Sequence, residues 1–119
     1  MEKLSQIPII QCSYNVNTQI QKLAANYPVN YRHTLGMRLA HCASDLFTEI
    51  LRTNASWDYK DRLESLLELR TKLFVLGMEV RLGKDLKIIS TNQHSQLHEK
   101  LIDIRKQLHR WQRWTEKQS

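Results

Sequence analysis

The sequence is poor in residues that turn or break a chain. Its 119 residues include three glycines and two prolines. That is too little punctuation for a many-stranded or loop-rich fold, and it favours a few long helices with short connections. Gly36, Gly77 and Gly83 all fall inside helical patterns, so no glycine-rich loop is available to cradle phosphate. Two cysteines, Cys12 and Cys42, make no disulfide framework. They read as small core residues in a reducing compartment. No long apolar run is present either. Residues 4–21 carry no formal charge, but Gln, Asn and Ser interrupt them. That stretch fits neither a signal-peptide core nor a membrane span, so a cytoplasmic protein off the membrane is expected.

Acidic residues are the other shortage. Eighteen Lys and Arg face twelve Asp and Glu, a net charge of +6. Residues 1–80 hold nine cations and eight anions, whereas residues 81–119 hold nine and four. The excess therefore lies in the C-terminal third, where it favours polyanions or acidic partners. The hydrophobic fraction is an ordinary 41%, which fits one globular domain over 1–119.

Helical periodicity dominates. Apolar and small residues at 3–4 spacing predict helices over approximately 10–27, 31–53, 58–87 and 92–116. The inner face of the first holds Ser13, Val16, Ile20, Leu23 and Tyr27; Pro8 lies near its start and Pro28 at its stop. The second lines up Leu35, Leu39, Cys42, Leu46 and Ile50, with Gly36 beside the stripe where a close helix approach needs a small residue. Ser56 is the expected N-cap of the third helix, whose seam is Leu66, Leu69, Leu73, Leu76 and Val80. Ser90 and Gln93 form a capping-box pattern before the fourth, which carries Leu97, Leu101, Ile104, Leu108 and Trp111. Four helices with short connections predict an all-α, antiparallel up-down-up-down four-helix bundle.

The third helix has more apolar surface than one core needs. Leu63, Leu67, Phe74 and Met78 flank its seam, and Val75, Leu82 and Leu86 lie on the remaining side. Exposed strips of this kind mark interfaces, so contact with another subunit is expected through Val75, Leu82 and Leu86, with Trp111 and Trp114 of the fourth helix.

The nine residues KQLHRWQRW, 106–114, combine cations with tryptophan. At about 100° per residue Trp111 falls in the core seam, while Lys106, Arg110, Arg113 and Lys117 make one stripe opposite it. Such a ladder, roughly one turn or 5–6 Å between charges, gives sequence-independent, salt-sensitive affinity for phosphates. Arg81, Lys84 and Lys87 form a second cationic group. Arg70 and Arg81 interrupt the apolar flank, where an ion pair with Glu49 or Glu79 is the structural alternative.

Catalytic patterns are weak. His41 and Cys42 point about 100° apart on a helix, poor geometry for a base and nucleophile. His94 and His98 have i, i+4 spacing that could hold a metal, but Glu99 is off their face. Glu64 and Glu68 fall within reach of Lys60 and Lys72 on a solvated face. No enzyme activity, cofactor or metal is expected.

Several segments together resemble a known family. IPIIQ near the start, YRHTLGMRL in the second helix, LRTKLFVLGMEVRLGKDLKIIS through the third and LIDIRKQLHRW in the last are similar to the accessory variability determinant (Avd) proteins of diversity-generating retroelements. The resemblance spans Ile7 to Trp114, and Thr34, Leu35, Gly36 and Arg38 are its most specific element. It implies a non-catalytic four-helix bundle assembled as a homopentameric barrel. Such a protein binds the retroelement's reverse transcriptase and its template RNA, or an RNA/DNA hybrid, and supports adenine-directed mutagenic copying and retrohoming. Arg32 and Arg38 of YRHTLGMRL thereby join Arg81, Lys84, Lys87, Lys106, Arg110, Arg113 and Lys117 as expected nucleic-acid or partner contacts. The family usually ends its last helix with Gly-Gly-Trp, where this chain has His109, Arg110 and Trp111. The resemblance extends to four-helix bundles encoded in ribosomal RNA intervening sequences. These supply the alternative: a structural or RNA-contact module without a polymerase partner.

Overall fold

The computed structural model describes the backbone of residues 2–118 and the side chains of residues 8–118. Helix α1 is Glu2–Ala25. Helix α2 is composite: one turn, Val29–Tyr31, a π-helical segment, Arg32–Gly36, and a regular stretch, Met37–Ala55. Helix α3 is Tyr59–Asp85 and α4 is Thr91–Lys117. No strand occurs among the described residues. Each helix packs on the next, and α4 returns to α1, so four helices surround one core.

The apolar spacing explains that core. Leu66, Leu69, Leu73, Leu76 and Val80 of α3 are buried together with Leu97, Leu101, Ile104, Leu108 and Trp111 of α4. Those ten positions are the seams expected from the sequence. Each fully buried Leu or Ile contributes about 1.5–3 kcal/mol relative to exposure. Buried hydroxyls are satisfied within their own helices: Ser13 donates to the Ile10 carbonyl, Thr53 to Glu49 and Thr115 to Trp111, at 3.1, 2.7 and 2.9 Å. This back-bonding lets polar side chains sit in the core without orphaned donors.

Polar pairs stitch neighbouring helices at the rim. Cys12 and Gln19 of α1 meet Asp103 and Lys100 of α4. Arg38 and Asp45 of α2 meet Glu79 and Lys72 of α3, at 2.5 and 2.6 Å. Gln21 of α1 donates to the Ala40 carbonyl and Ser44 hydroxyl of α2.

The helix ends differ from the sequence expectation in instructive ways. Helix α1 starts at Glu2, well before Ile10, and runs through Pro8. The second helix opens with the π segment, in which the Met37 N–H reaches the Arg32 carbonyl. Gly36 and Ala43 are buried while Leu35 and Cys42 lie at the margin: both members of each pair satisfy 3–4 spacing from Leu39, and the smaller one takes the position facing the neighbouring helices. Ser56, expected to cap α3, instead ends α2; Asp58 precedes α3 with no side-chain cap. The Ser56 carbonyl accepts a hydrogen bond from buried Arg62. Helix α3 ends at Asp85 rather than Lys87 because Lys87 takes a left-handed conformation, φ 61°. The Ile88 N–H bonds to Gly83 and the Lys87 N–H to Lys84, a Schellman closure. At α4 the Ser90–Gln93 capping box forms in both directions, at 3.0 and 2.8 Å.

Tyr27 joins three helices at one end. Its ring is buried between Gly36 of α2 and Gly83 of α3. A Cβ at Gly83 would lie 2.6 Å from the Tyr27 hydroxyl, whereas one at Gly77 meets nothing closer than Leu101 at 4.0 Å. Gly83→Ala is therefore expected to destabilise the fold by about 1–3 kcal/mol through overpacking. Gly77→Ala should be neutral or stabilising by up to about 1 kcal/mol through helix propensity. Urea denaturation of both variants checks the pair, and equal effects would contradict the Tyr27 packing.

Candidate nucleic-acid and partner interface

Burying one seam of α3 leaves its flank outside. Leu67, Phe74, Val75, Met78 and Leu86 are all exposed, Phe74 most of all at 68%. At about 100° per residue they fall within one arc of roughly 120°. On the side of that arc facing α4 a groove of about 600 Å³ opens between the two helices. Leu73, Phe74, Gly77, Met78, Leu101 and Ile102 form its floor, and Arg70, Arg81, Lys84 and Arg105 its rim. His94 and His98 lie at one end, their rings stacked at 5.6 Å with 15° between planes.

A second hollow, about 430 Å³, continues the groove along α4 and shares Arg70 and Arg105 with it. Lys106, His109 and Arg110 complete its lining. No carboxylate is among the described residues lining either hollow. The result is a trough of positive potential over apolar side chains. Two of its cations are weakly held: Arg70 donates to Gln112 at 3.2 Å, and Arg81 lies 3.6 Å from exposed Asp85. Exposed pairs of this kind contribute little and leave the heads available.

The expected contact residues do not all converge. Arg81 and Lys84 line the groove, and Lys106 and Arg110 the second hollow. Arg113 and Lys117 follow on the exposed side of α4. Lys87 lies just past α3 in the left-handed turn. Arg32 and Arg38 belong to α2: Arg32 donates to the Tyr27 carbonyl, and Arg38 pairs with Glu79 across the α2–α3 rim. Glu49 is taken by Arg52, so neither acid expected for Arg70 or Arg81 is their partner. Of the five expected subunit-contact residues, Val75 and Leu86 are exposed and Leu82 half-buried. Trp114 packs half-buried against the core. Trp111 is 5% exposed and belongs to its own bundle's core, with no hydrogen-bond partner for Nε1 among the described residues.

Arg105 and His109 are members of the site that sequence reasoning misses. They share a stripe with His98 and Ile102, at i, i+4, i+7 and i+11, along the edge of the α4 seam. That mixed apolar and basic row is the available signal, hidden by the all-cationic row beside it.

No three His, Cys, Asp or Glu side chains among the described residues converge as a metal cluster. Burial, and then Asp103, pushes the Cys12 thiol above its ordinary value; burial and then Glu79 do the same for Cys42. A raised thiol is a poor nucleophile at neutral pH.

His94 lies at the end of the groove among its basic neighbours. Partial burial, and then Lys84, His98 and Arg81, hold its imidazole below the ordinary 6.5, with Asp85 pulling the other way. Well above pH 6.5 neither the folded nor the unfolded state is protonated at this site, so His94 has no pH-dependent effect there. As pH falls through 6.5 the unfolded chain takes the proton first, and stability is lost down to the lower folded value. His94→Gln should therefore lose less stability between neutral pH and about pH 5 than the native chain. Thermal melts across that range check it, and an identical pH profile would contradict the assigned environment.

None of the helices among the described residues is long and apolar enough to cross a membrane. Comparison with curated proteins finds no match. A family model described as bAvd-like matches residues 9–115, which takes in α2 and α3 whole, most of α1 and α4, the trough and the Thr34-Leu35-Gly36 turn. With the match covering nearly the whole bundle, the chain belongs to the bAvd-like family.

Proposed function

We propose that this protein is a non-catalytic accessory factor of a diversity-generating retroelement. It binds the element's reverse transcriptase and its template RNA, or the RNA/DNA hybrid made from it, and so supports adenine-directed mutagenic copying and retrohoming in the cytoplasm. The observation that carries this reading is the acid-free basic trough along α3 and α4 in a chain of the bAvd-like family. Phosphates are the common chemistry of template and product, and a ladder of Lys and Arg binds them by releasing counterions, without reading bases.

The protein acts as a single antiparallel up-down bundle domain. The rim pairs support that order: Arg38 then Asp45 along α2 meet Glu79 then Lys72, which run backward along α3. Copies of the bundle assemble into a homopentameric barrel through the edge of the α3 arc away from the α3–α4 groove, with Val75, Leu82 and Leu86 at the contact and Trp114 beside it. The exposure of Val75 and Leu86, 42% and 45%, supports that surface, since a bundle working alone would leave it in water. Assembly would also set several basic troughs side by side, multiplying the contacts available to one RNA.

Template binding is tested by fluorescence anisotropy of a labelled single-stranded RNA across a salt series. Arg110→Glu with Arg113→Glu is expected to weaken binding and to reduce the slope of log affinity against log salt by about 1.4, roughly 0.7 for each single-strand phosphate that is no longer neutralised. An unchanged slope in a folded double variant would remove the α4 stripe from the proposal.

A further inference from the structure

The two hollows of the trough differ in chemistry. The second is ringed by five basic side chains. The α3–α4 groove has an apolar floor, Leu73, Phe74, Gly77, Met78, Leu101 and Ile102, beneath a cationic rim. A phosphate backbone neutralises such a rim but stays hydrated, and it leaves the floor uncovered. Bases could stack on Phe74, yet the rest of the floor is aliphatic, thioether or bare backbone. The ligand that satisfies both parts carries apolar side chains in a row with carboxylates beside them.

The groove's dimensions suit a helix. From Arg70 to Lys84 its wall on α3 runs about 21 Å, or roughly four turns, at 1.5 Å per residue. Gly77 lies midway along that wall. The absence of a side chain there deepens the floor, and the space above it is open, the nearest atom to an added Cβ being Leu101 Cδ1 at 4.0 Å. Met78 is a flexible, polarisable neighbour that can repack around an incoming side chain. Arg70, Arg81, Lys84 and Arg105 stand on both sides, from both helices, so flanking carboxylates on either edge of a ligand find a partner.

We propose that the α3–α4 groove is a docking site for an acidic amphipathic helix of a protein partner. The apolar stripe of that helix lies on the Phe74–Gly77–Met78 floor, and its Asp and Glu residues pair with Arg70, Arg81, Lys84 and Arg105. The proposal stands apart from template binding, which uses the Lys106–Lys117 side of α4. It divides the trough by partner: the apolar-floored groove for a protein segment, the fully basic face for nucleic acid.

The test uses the full-length protein and three fluorescent probes. One is a synthetic helical peptide of about four turns with leucines at i, i+4, i+7 and i+11 flanked by glutamates. The second is a scrambled peptide of the same composition, and the third a single-stranded RNA. The amphipathic peptide is expected to bind at least about tenfold more tightly than the scrambled one. Gly77→Leu, which fills the groove, should weaken the peptide by a similar factor and leave RNA affinity unchanged. Phe74→Ala, at a largely exposed position, tests the same floor should Gly77→Leu fail to fold. Equal binding of both peptides, or peptide affinity indifferent to Gly77→Leu and Phe74→Ala, overturns the proposal. Selective loss of RNA in those variants assigns the groove to nucleic acid instead. A fall in oligomer mass by light scattering on Gly77→Leu, with no peptide binding to the native protein, assigns it to a second copy of the chain. Failure of the native protein to bind RNA would sink the template reading while leaving the peptide result to stand on its own.

Discussion

A four-helix bundle buries one face of each helix, and α3 has more than one face to bury. Its inner seam, Leu66 through Val80, is sealed against α2 and α4. The bundle then has no further place for Leu67, Phe74, Val75, Met78 and Leu86, and they remain in water. Everything distinctive about the surface follows from this surplus. It supplies the floor of the α3–α4 groove on one side and an outward apolar strip on the other. The arginines that interrupt it, Arg70 and Arg81, become the rim of the groove because their long stems can lie on apolar surface while their heads stay hydrated.

The same surplus explains why cations collect where they do. Helix α4 contributes its own seam to the core and therefore presents Arg105, Lys106, Arg110, Arg113 and Lys117 outward, next to the exposed flank of α3. Three of the chain's acids are held at the α2–α3 side: Asp45, Glu49 and Glu79 are engaged by Lys72, Arg52 and Arg38. Charge is thus sorted by helix face as well as by sequence position. An acid-free face of this kind is costly in self-repulsion at low salt, and a bound polyanion or acidic partner relieves that cost.

Much of this is legible in the sequence wherever one rule acts alone. The α3 and α4 seams can be read because strict 3–4 spacing leaves only one way to orient each helix, and the Ser90–Gln93 cap because its two hydrogen bonds are purely local. The α2 face is less legible. Cys42 and Ala43 both satisfy 3–4 spacing between Leu39 and Leu46, so spacing alone does not choose between them, and no periodicity rule anticipates the π turn at Arg32–Gly36. It brings Gly36 against the Ala24 carbonyl, where a Cβ would sit at 3.1 Å, so the turn serves a tertiary contact that local sequence does not encode. The left-handed Lys87 is hidden for a related reason: glycine is the usual signal, and a lysine there carries about 1–2 kcal/mol of backbone cost that the surrounding closure must offset. The groove itself needs the structure, because it is made by two helices and its Arg105 and His109 lie beside a louder row of cations.

In the proposed function this bundle joins a polymerase to its RNA. The most direct measurement is co-purification of the folded protein with the reverse transcriptase of its own retroelement, with and without template RNA, across a salt series. The adaptor account predicts a complex at low salt that template RNA strengthens and that rising salt dissociates. A protein that is folded by circular dichroism and uniform by light scattering, yet associates with neither polymerase nor RNA at low salt, would contradict it and leave a structural bundle without a polymerase partner.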